Sequence, residues 1–114
     1  VGVTGCAPFW VGAAVGAGGI AWVNGSLERD FCFSMDRVSQ ASRQALKRLK
    51  LPVRDDKGDF LTTKIQSQYS DGQKIWIDIK AVTERSCKVI IRVGVFGHRS
   101  RSESILAAII RYLE

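Results

Sequence analysis

The first 27 residues of the chain, Val1 to Leu27, contain no Lys, Arg, Asp or Glu, whereas all 17 basic and 11 acidic residues follow from Glu28 onward. Charged side chains normally cover the surface of a soluble domain, so this shift in composition separates two kinds of segment. We therefore predict an apolar, Gly/Ala-rich segment over residues 1–25, which is a signal remnant or lies close to a membrane. One small domain follows over residues 26–114.

A cysteine near the start of the apolar segment lies in the context of a bacterial lipobox. Val3-Thr4-Gly5-Cys6 is an aliphatic residue, two small residues and a cysteine. Small side chains are needed there because the modifying enzymes must reach the backbone beside the thiol. This pattern predicts a diacylglyceryl thioether on Cys6 and a further acyl chain on its amine, and two or three chains make a lasting anchor. No other cofactor is expected.

The same segment has two other interpretations. Val1 to Val23 is long enough to cross a bilayer as a helix, and Gly12 and Gly16 have the G-x-x-x-G spacing that lets membrane helices pack closely. The protein would then be an accessory subunit of a membrane complex. The other glycines of the segment and Pro8 weaken a helix. The third interpretation is an apolar linker or a buried core segment.

The remainder of the chain predicts an α+β domain of order β-α-β-β-β-α, with a mostly antiparallel sheet and both helices on one face. A helix begins after the N-cap Ser34 and ends at Leu51-Pro52, and Ser100-x-x-Glu103 has the form of a capping box before the last helix. The predicted strands are Trp22–Phe33, Phe60–Tyr69, Lys74–Val82 and Cys87–Val95, and Arg54–Asp59 is predicted to be a charged loop.

Two sets of residues are candidates for contact with a partner. The chain carries a net charge of +6 and has a pI near 9.6. A basic group on the first helix suits anionic phospholipid, or else forms a solvated face; it consists of Arg37, Arg43, Lys47, Arg48 and Lys50. Trp76 and Ile90 point outward from the predicted sheet and suit a protein partner. No RNA-binding motif accompanies the basic charge, so nucleic acid is not expected.

The remaining chemistry-bearing residues do not form a catalytic or metal-binding pattern. Cys32 and Cys87 lie on strands that could be neighbours, so a disulfide is one outcome, but they fall on opposite faces, which favours two separate thiols. His98 is the one histidine of the sequence and lies in a Gly-containing turn. These residues predict no metal site and no nucleophile with a base, so we expect a protein that is not an enzyme.

Several motifs resemble a domain-of-unknown-function family of small Gram-negative lipoproteins. They are Gly5-Cys6-Ala7-Pro8, Gly25-x-Leu27-Glu28, Leu46-x-x-Leu49-x-Leu51-Pro52-Val53 and Ile91-Arg92-Val93-Gly94-x-Phe96-Gly97. The resemblance implies export, a lipid anchor and a β-α-β-β-β-α body, and it implies no activity. Ala7-Pro8 after the cysteine, without Asp, implies sorting to the outer membrane with the body in the periplasm. The expected partners are membrane lipid and an envelope protein or complex.

Overall fold

A six-stranded antiparallel sheet and two helices make up residues 20–113, the part of the chain that the computed structural model describes. The strands lie in the order β1-β2-β6-β5-β4-β3, so the last strand of the chain lies inside the sheet. In chain order the elements are β1 (Ile20–Val23), β2 (Ser26–Phe31), α1 (Met35–Arg48), β3 (Val53–Gly58), β4 (Thr62–Gln68), β5 (Lys74–Thr83), β6 (Ser86–Val93) and α2 (Arg99–Leu113).

The core lies between one face of the sheet and the two helices. Helix α1 packs over β4, β5 and β6, helix α2 packs over β2 and β6, and the helices contact each other. Alternate residues of the central strands are buried on this face: Ile75, Ile77, Ile79, Cys87, Val89, Ile91 and Val93. Burying one isoleucine side chain contributes about 1.5–3 kcal/mol. The predicted α+β class, with both helices on one face, is confirmed.

Helix α1 begins where the sequence predicts but ends at Arg48, before the predicted end at Leu51-Pro52. The Ser34 hydroxyl accepts a hydrogen bond from the backbone N–H of Arg37 at 3.3 Å, which is an N-cap. After Arg48 the chain leaves the helix, because Lys50 has a φ of 61°. Pro52 follows and cannot continue a helix.

The first predicted strand is a hairpin in the structure. The prediction of a single strand over Trp22–Phe33 is wrong, because the chain reverses at Asn24-Gly25 between β1 and β2. Asn24 has a φ of 48° and Gly25 a φ of 85°, and both are positive as in a type I′ turn. Residues 20–23 are therefore part of the sheet, although they precede the domain boundary that the sequence predicts after residue 25.

The hairpin also bears on the membrane-spanning interpretation. The prediction of a membrane-spanning helix over Val1 to Val23 is wrong at its C-terminal end, since Ile20–Val23 is strand β1. Within residues 20–113, neither helix combines the length and the apolar character that crossing a bilayer requires. Residues 1–19 lie outside the described part of the chain.

The segment predicted as a charged loop forms an edge strand. Val53–Gly58 is strand β3, which pairs with β4 at the edge of the sheet. Its side chains are exposed on both faces, so no alternation of apolar and polar residues marks it as a strand. Charged residues and a register shift near Val53 and Asp55 are typical of an edge that resists pairing with other chains.

The start of the last helix also differs from the prediction. Helix α2 begins at Arg99, and His98 caps it in place of Ser100. The His98 carbonyl accepts a hydrogen bond from the Ser102 N–H at 3.0 Å, and its Nδ1 accepts one from the Arg101 N–H at 3.2 Å. The N-cap acceptor is therefore the imidazole nitrogen of His98 and not the hydroxyl of Ser100 that the sequence pattern predicts.

Two glycines bring the β1–β2 turn against the segment between β6 and α2. Gly97 has a φ of 84°, and a Cβ there would lie 2.7 Å from the Cα of Gly25 and closer still to its carbonyl oxygen. Real Cβ atoms do not approach backbone so closely, so only glycine fits at Gly97 without movement of the hairpin turn. The contact fixes the backbone that leads from the sheet into α2.

We predict that Gly97→Ala destabilises the domain much more than Gly72→Ala. Both positions have positive φ, which costs an alanine about 1–2 kcal/mol. A Cβ at Gly72 meets nothing within 4 Å, whereas one at Gly97 meets backbone. The added clash should bring the loss at Gly97 to about 2–5 kcal/mol. Denaturant unfolding of both variants measures the difference, and equal losses would contradict the proposed backbone contact.

Candidate interaction surfaces

An apolar groove lies at the end of the sheet where the β3–β4 and β5–β6 turns meet the start of α1. The last residues of β5 are held to the β3–β4 turn by a hydrogen bond from the Ala81 N–H to the Leu61 carbonyl at 2.8 Å. The groove has a volume of about 500 Å³. Its apolar lining includes Met35, Phe60, Leu61 and Val82, and the last three are 96%, 68% and 63% exposed. So much exposed apolar surface in one place is typical of a binding site.

The charged residues that line this groove, hereafter the end groove, are all acidic: Asp36, Asp59 and Glu84. The Asp59 carboxylate accepts hydrogen bonds from the backbone N–H groups of Leu61 and Thr62, each at 2.8 Å. These bonds lower the pKa of Asp59, so its carboxylate stays ionised at neutral pH. The end groove therefore combines apolar surface with fixed negative charge.

A second apolar surface lies at the opposite end of the sheet, on the loop between β6 and α2. This tip loop, residues Gly94–His98, exposes Val95 by 71% and Phe96 by 93%. Its backbone is held in place by several bonds. The Arg92 guanidinium donates to the carbonyls of Val95 and Asn24, the latter at 2.9 Å, and the Gly94 N–H donates to the Lys74 carbonyl at 2.8 Å. The two apolar side chains thus project from a fixed loop.

Basic residues flank the tip loop. The Arg92 guanidinium donates to its backbone, the Lys74 carbonyl accepts a hydrogen bond from the Gly94 N–H, and Arg99 follows the loop at the start of α2. Arg101 lies 2.9 Å from the Asp71 carboxylate and stacks 4.1 Å from the Tyr69 ring. Basic groups outnumber acidic ones at this end, in contrast to the end groove.

The outward residues predicted from the sheet lie where expected but form only a small patch. Trp76 and Ile90 are half-buried on the face away from the helices. They are diagonal neighbours, because Trp76 pairs with Arg92 while Ile90 pairs with Asp78 on one side and Glu28 on the other. Charged residues therefore surround the two apolar side chains, so this face is less apolar than the two ends.

The structure divides the basic group predicted on the first helix. Arg43 donates to both carboxylate oxygens of Asp56 on β3, at 2.6 and 3.1 Å, and this bond raises the pKa of Arg43. Arg37 donates to the Leu113 carbonyl at 3.3 Å and stacks on a nearby phenylalanine. Lys50 lies beyond the helix, so its predicted place on the same helical face is wrong.

Of the basic group, two members remain in the last turn of α1 as exposed side chains, Lys47 and Arg48. Together with Lys50, which is exposed just beyond the helix, they form a solvated helix end rather than a broad patch. The two surfaces at the ends of the sheet are accordingly the stronger candidates. Neither surface is predicted from the sequence, although the adjacent apolar pair Phe60-Leu61 between polar residues is a visible signal.

The comparison with protein families matches residues 1–111 to the family described as "Protein of unknown function (DUF3568)". The chain belongs to this family. The predicted membership of a domain-of-unknown-function family is thereby confirmed over nearly the whole chain. The comparison with curated proteins found no match to this DUF3568 chain.

The two described cysteines of the DUF3568 chain do not form a disulfide in the structure. Cys87 is fully buried on the helix side of β6, whereas Cys32 is half-buried after β2. Burial, together with the charge of Asp30, raises the pKa of the Cys87 thiol to about 12. Among residues 20–113, no three His, Cys, Asp or Glu side chains gather as a metal site would require. The predicted lipid and helix-packing residues Cys6, Gly12 and Gly16 lie outside the described residues.

We predict that Cys87 resists alkylation in the folded protein and reacts only after unfolding. A pKa near 12 in place of 9.0 reduces the reactive thiolate roughly a thousandfold at neutral pH. In the unfolded state the Cys87 thiol has its ordinary pKa of 9.0, so rising pH deprotonates the unfolded state before the folded state. The contribution of the thiol to stability is therefore constant below about pH 9 and is lost as the pH rises towards 12. Mass mapping of iodoacetamide adducts, with Cys32 as the internal comparison, measures this. Equal labelling of both thiols in the folded protein would contradict the burial.

Proposed function

We propose that this DUF3568 chain is a lipid-anchored protein of the bacterial cell envelope that binds a protein partner and catalyses no reaction. The anchor is Cys6, and the α+β domain is the binding part, held in the periplasm at the outer membrane. One observation carries the proposal: Cys6, in the sequence context typical of a lipobox, lies near the start of a charge-free segment that precedes a folded domain.

The position of the first strand supports a tethered arrangement. Among the described residues, the sheet begins at Ile20 and the buried core lies between Leu27 and Leu113. Between Cys6 and Ile20, residues 7–19 would reach at most roughly 45 Å if extended. An acylated Cys6 would therefore keep the domain within one molecular diameter or so of the membrane while leaving its surfaces accessible.

The chemistry of the end groove supports binding rather than catalysis. A general acid at neutral pH needs a carboxyl group with a raised pKa, which burial normally provides. The Asp59 carboxyl lies in the groove with a lowered pKa and both of its hydrogen bonds come from backbone N–H groups. Exposed apolar side chains beside it are suited to contact with another macromolecule.

We predict that Cys6→Ser abolishes lipid attachment and releases the protein from membranes. The wild-type protein isolated from its own host should begin at Cys6 and carry diacylglyceryl and acyl groups, which mass spectrometry of the N-terminal peptide detects. The variant should lack this modification and appear in the soluble fraction or as an unprocessed precursor.

Cys32→Ser is the matched control, because it removes a half-buried thiol of the domain and leaves the lipobox intact. This control should stay in the membrane fraction with the lipid present. An unmodified wild-type Cys6 with Val1–Gly5 still attached would refute the proposal. A Cys6→Ser protein that remained in membranes would favour the alternative of a helix packed through Gly12 and Gly16.

A further inference from the structure

We propose that copies of this chain associate head to tail, with the tip loop of one copy inserted into the end groove of the next. The proposed occupant of the groove is thus a second copy, and the residues that enter it are Val95 and Phe96. The two surfaces belong to the described domain, so the contact does not depend on whether Cys6 carries lipid.

The topology places the two surfaces at opposite ends of the same sheet. Strand β5 ends and strand β6 begins beside the end groove, whereas β6 ends at the tip loop. A contact between them is heterologous, since different surfaces of the two copies meet. Each added copy presents a fresh groove at one end and a fresh tip loop at the other.

The shapes of the two surfaces are complementary in kind. The tip loop is a projection with two exposed apolar side chains, and the end groove is a concavity of about 500 Å³. That volume is within the range of about 300–1,000 Å³ typical of sites that enclose a small ligand or a few side chains. Phe96 would meet Phe60 and Leu61, and aromatic pairs add to the gain from burial.

The backbone of the tip loop is ordered before any contact is made. The Gly25–Gly97 contact and the hydrogen bonds from Arg92 and Gly94 hold it against the hairpin turn and against β5. Association therefore loses little conformational entropy in this loop, which favours binding. The same bonds explain how the domain keeps two large apolar side chains in water rather than folding them inward.

The charges of the two surfaces have opposite signs. The end groove carries Asp36, Asp59 and Glu84, and the neighbouring Arg85 is not part of its lining. Beside the tip loop lie Lys74 and Arg99, the latter 63% exposed and 3.5 Å from Glu103 within its own helix. Complementary potentials steer the two ends together and disfavour contact between two grooves or between two tip loops.

Chemical cross-linking in whole cells tests the proposal, with the full chain carrying Cys6→Ser and Cys32→Ser as the background, so that the buried Cys87 is the one natural thiol that remains. A double variant with Leu61→Cys and Phe96→Cys is treated with a short bis-maleimide and compared with each single variant. Both positions are exposed, so the substitutions should leave folding unchanged, and Cys87 is buried away from the reagent. Thermal unfolding of each purified variant verifies this.

The double variant should give a ladder of dimers, trimers and larger species, and each single variant should stay monomeric. Co-expression of the two single variants should restore dimers and nothing larger, because such a pair has one reactive tip–groove contact. Replacing Leu61→Cys with Val53→Cys, an exposed apolar position outside the groove, should abolish the ladder.

Other outcomes would overturn head-to-tail association. Dimers of the Phe96→Cys variant alone would indicate a symmetric contact between tip loops. The absence of a ladder, with the cysteine at position 96 resisting a water-soluble maleimide, would indicate that the tip loop lies in membrane lipid. The absence of a ladder with full labelling would indicate an exposed loop that meets no second copy. None of these results changes the outcome of the Cys6→Ser experiment, so the two proposals fail separately.

Discussion

The position of β6 in the middle of the sheet is the constraint on which the rest of the domain depends. It pairs with β2 on one side and with β5 on the other, and so joins the N-terminal hairpin to the β3–β6 meander. Val89 and Ile91 on its inner face are fully buried beneath the helices. Because β6 contacts both helices as well as both halves of the sheet, the domain has a single core rather than two small ones.

The burial of one face of the sheet has consequences for the ends of the strands. The inward-facing apolar residues of β5 and β6 are covered by α1 and α2, but apolar residues at the strand ends and just beyond them are not. Val82 and Leu61 remain exposed at one end and Val95 and Phe96 at the other. Two apolar surfaces with opposite charge therefore arise at opposite ends of one small domain, and this arrangement underlies the head-to-tail proposal.

Much of the fold follows from periodicity in the sequence, and the exceptions have identifiable causes. The alternation of Ile75, Ile77 and Ile79 predicts β5, and the helical spacing after Ser34 predicts α1; both predictions are confirmed. Strand β3 escapes prediction because neither of its faces is buried. The β1–β2 hairpin is not predicted although Asn24-Gly25 is a strong turn signal, because the weak alternation of apolar and polar residues on both sides of the turn favours one continuous strand.

Local patterns along the chain are enough to predict a charge-free segment before a charged body, the α+β class and the buried faces of the central strands, because composition and hydrophobic periodicity depend on neighbouring residues. Contacts between distant residues follow from the fold instead. It placed Arg43 on Asp56 and Gly97 on Gly25, and it gathered the end groove from α1 and two distant turns. Such contacts join residues far apart in the chain, and their formation depends on sheet order and register, which spacing along the sequence does not specify.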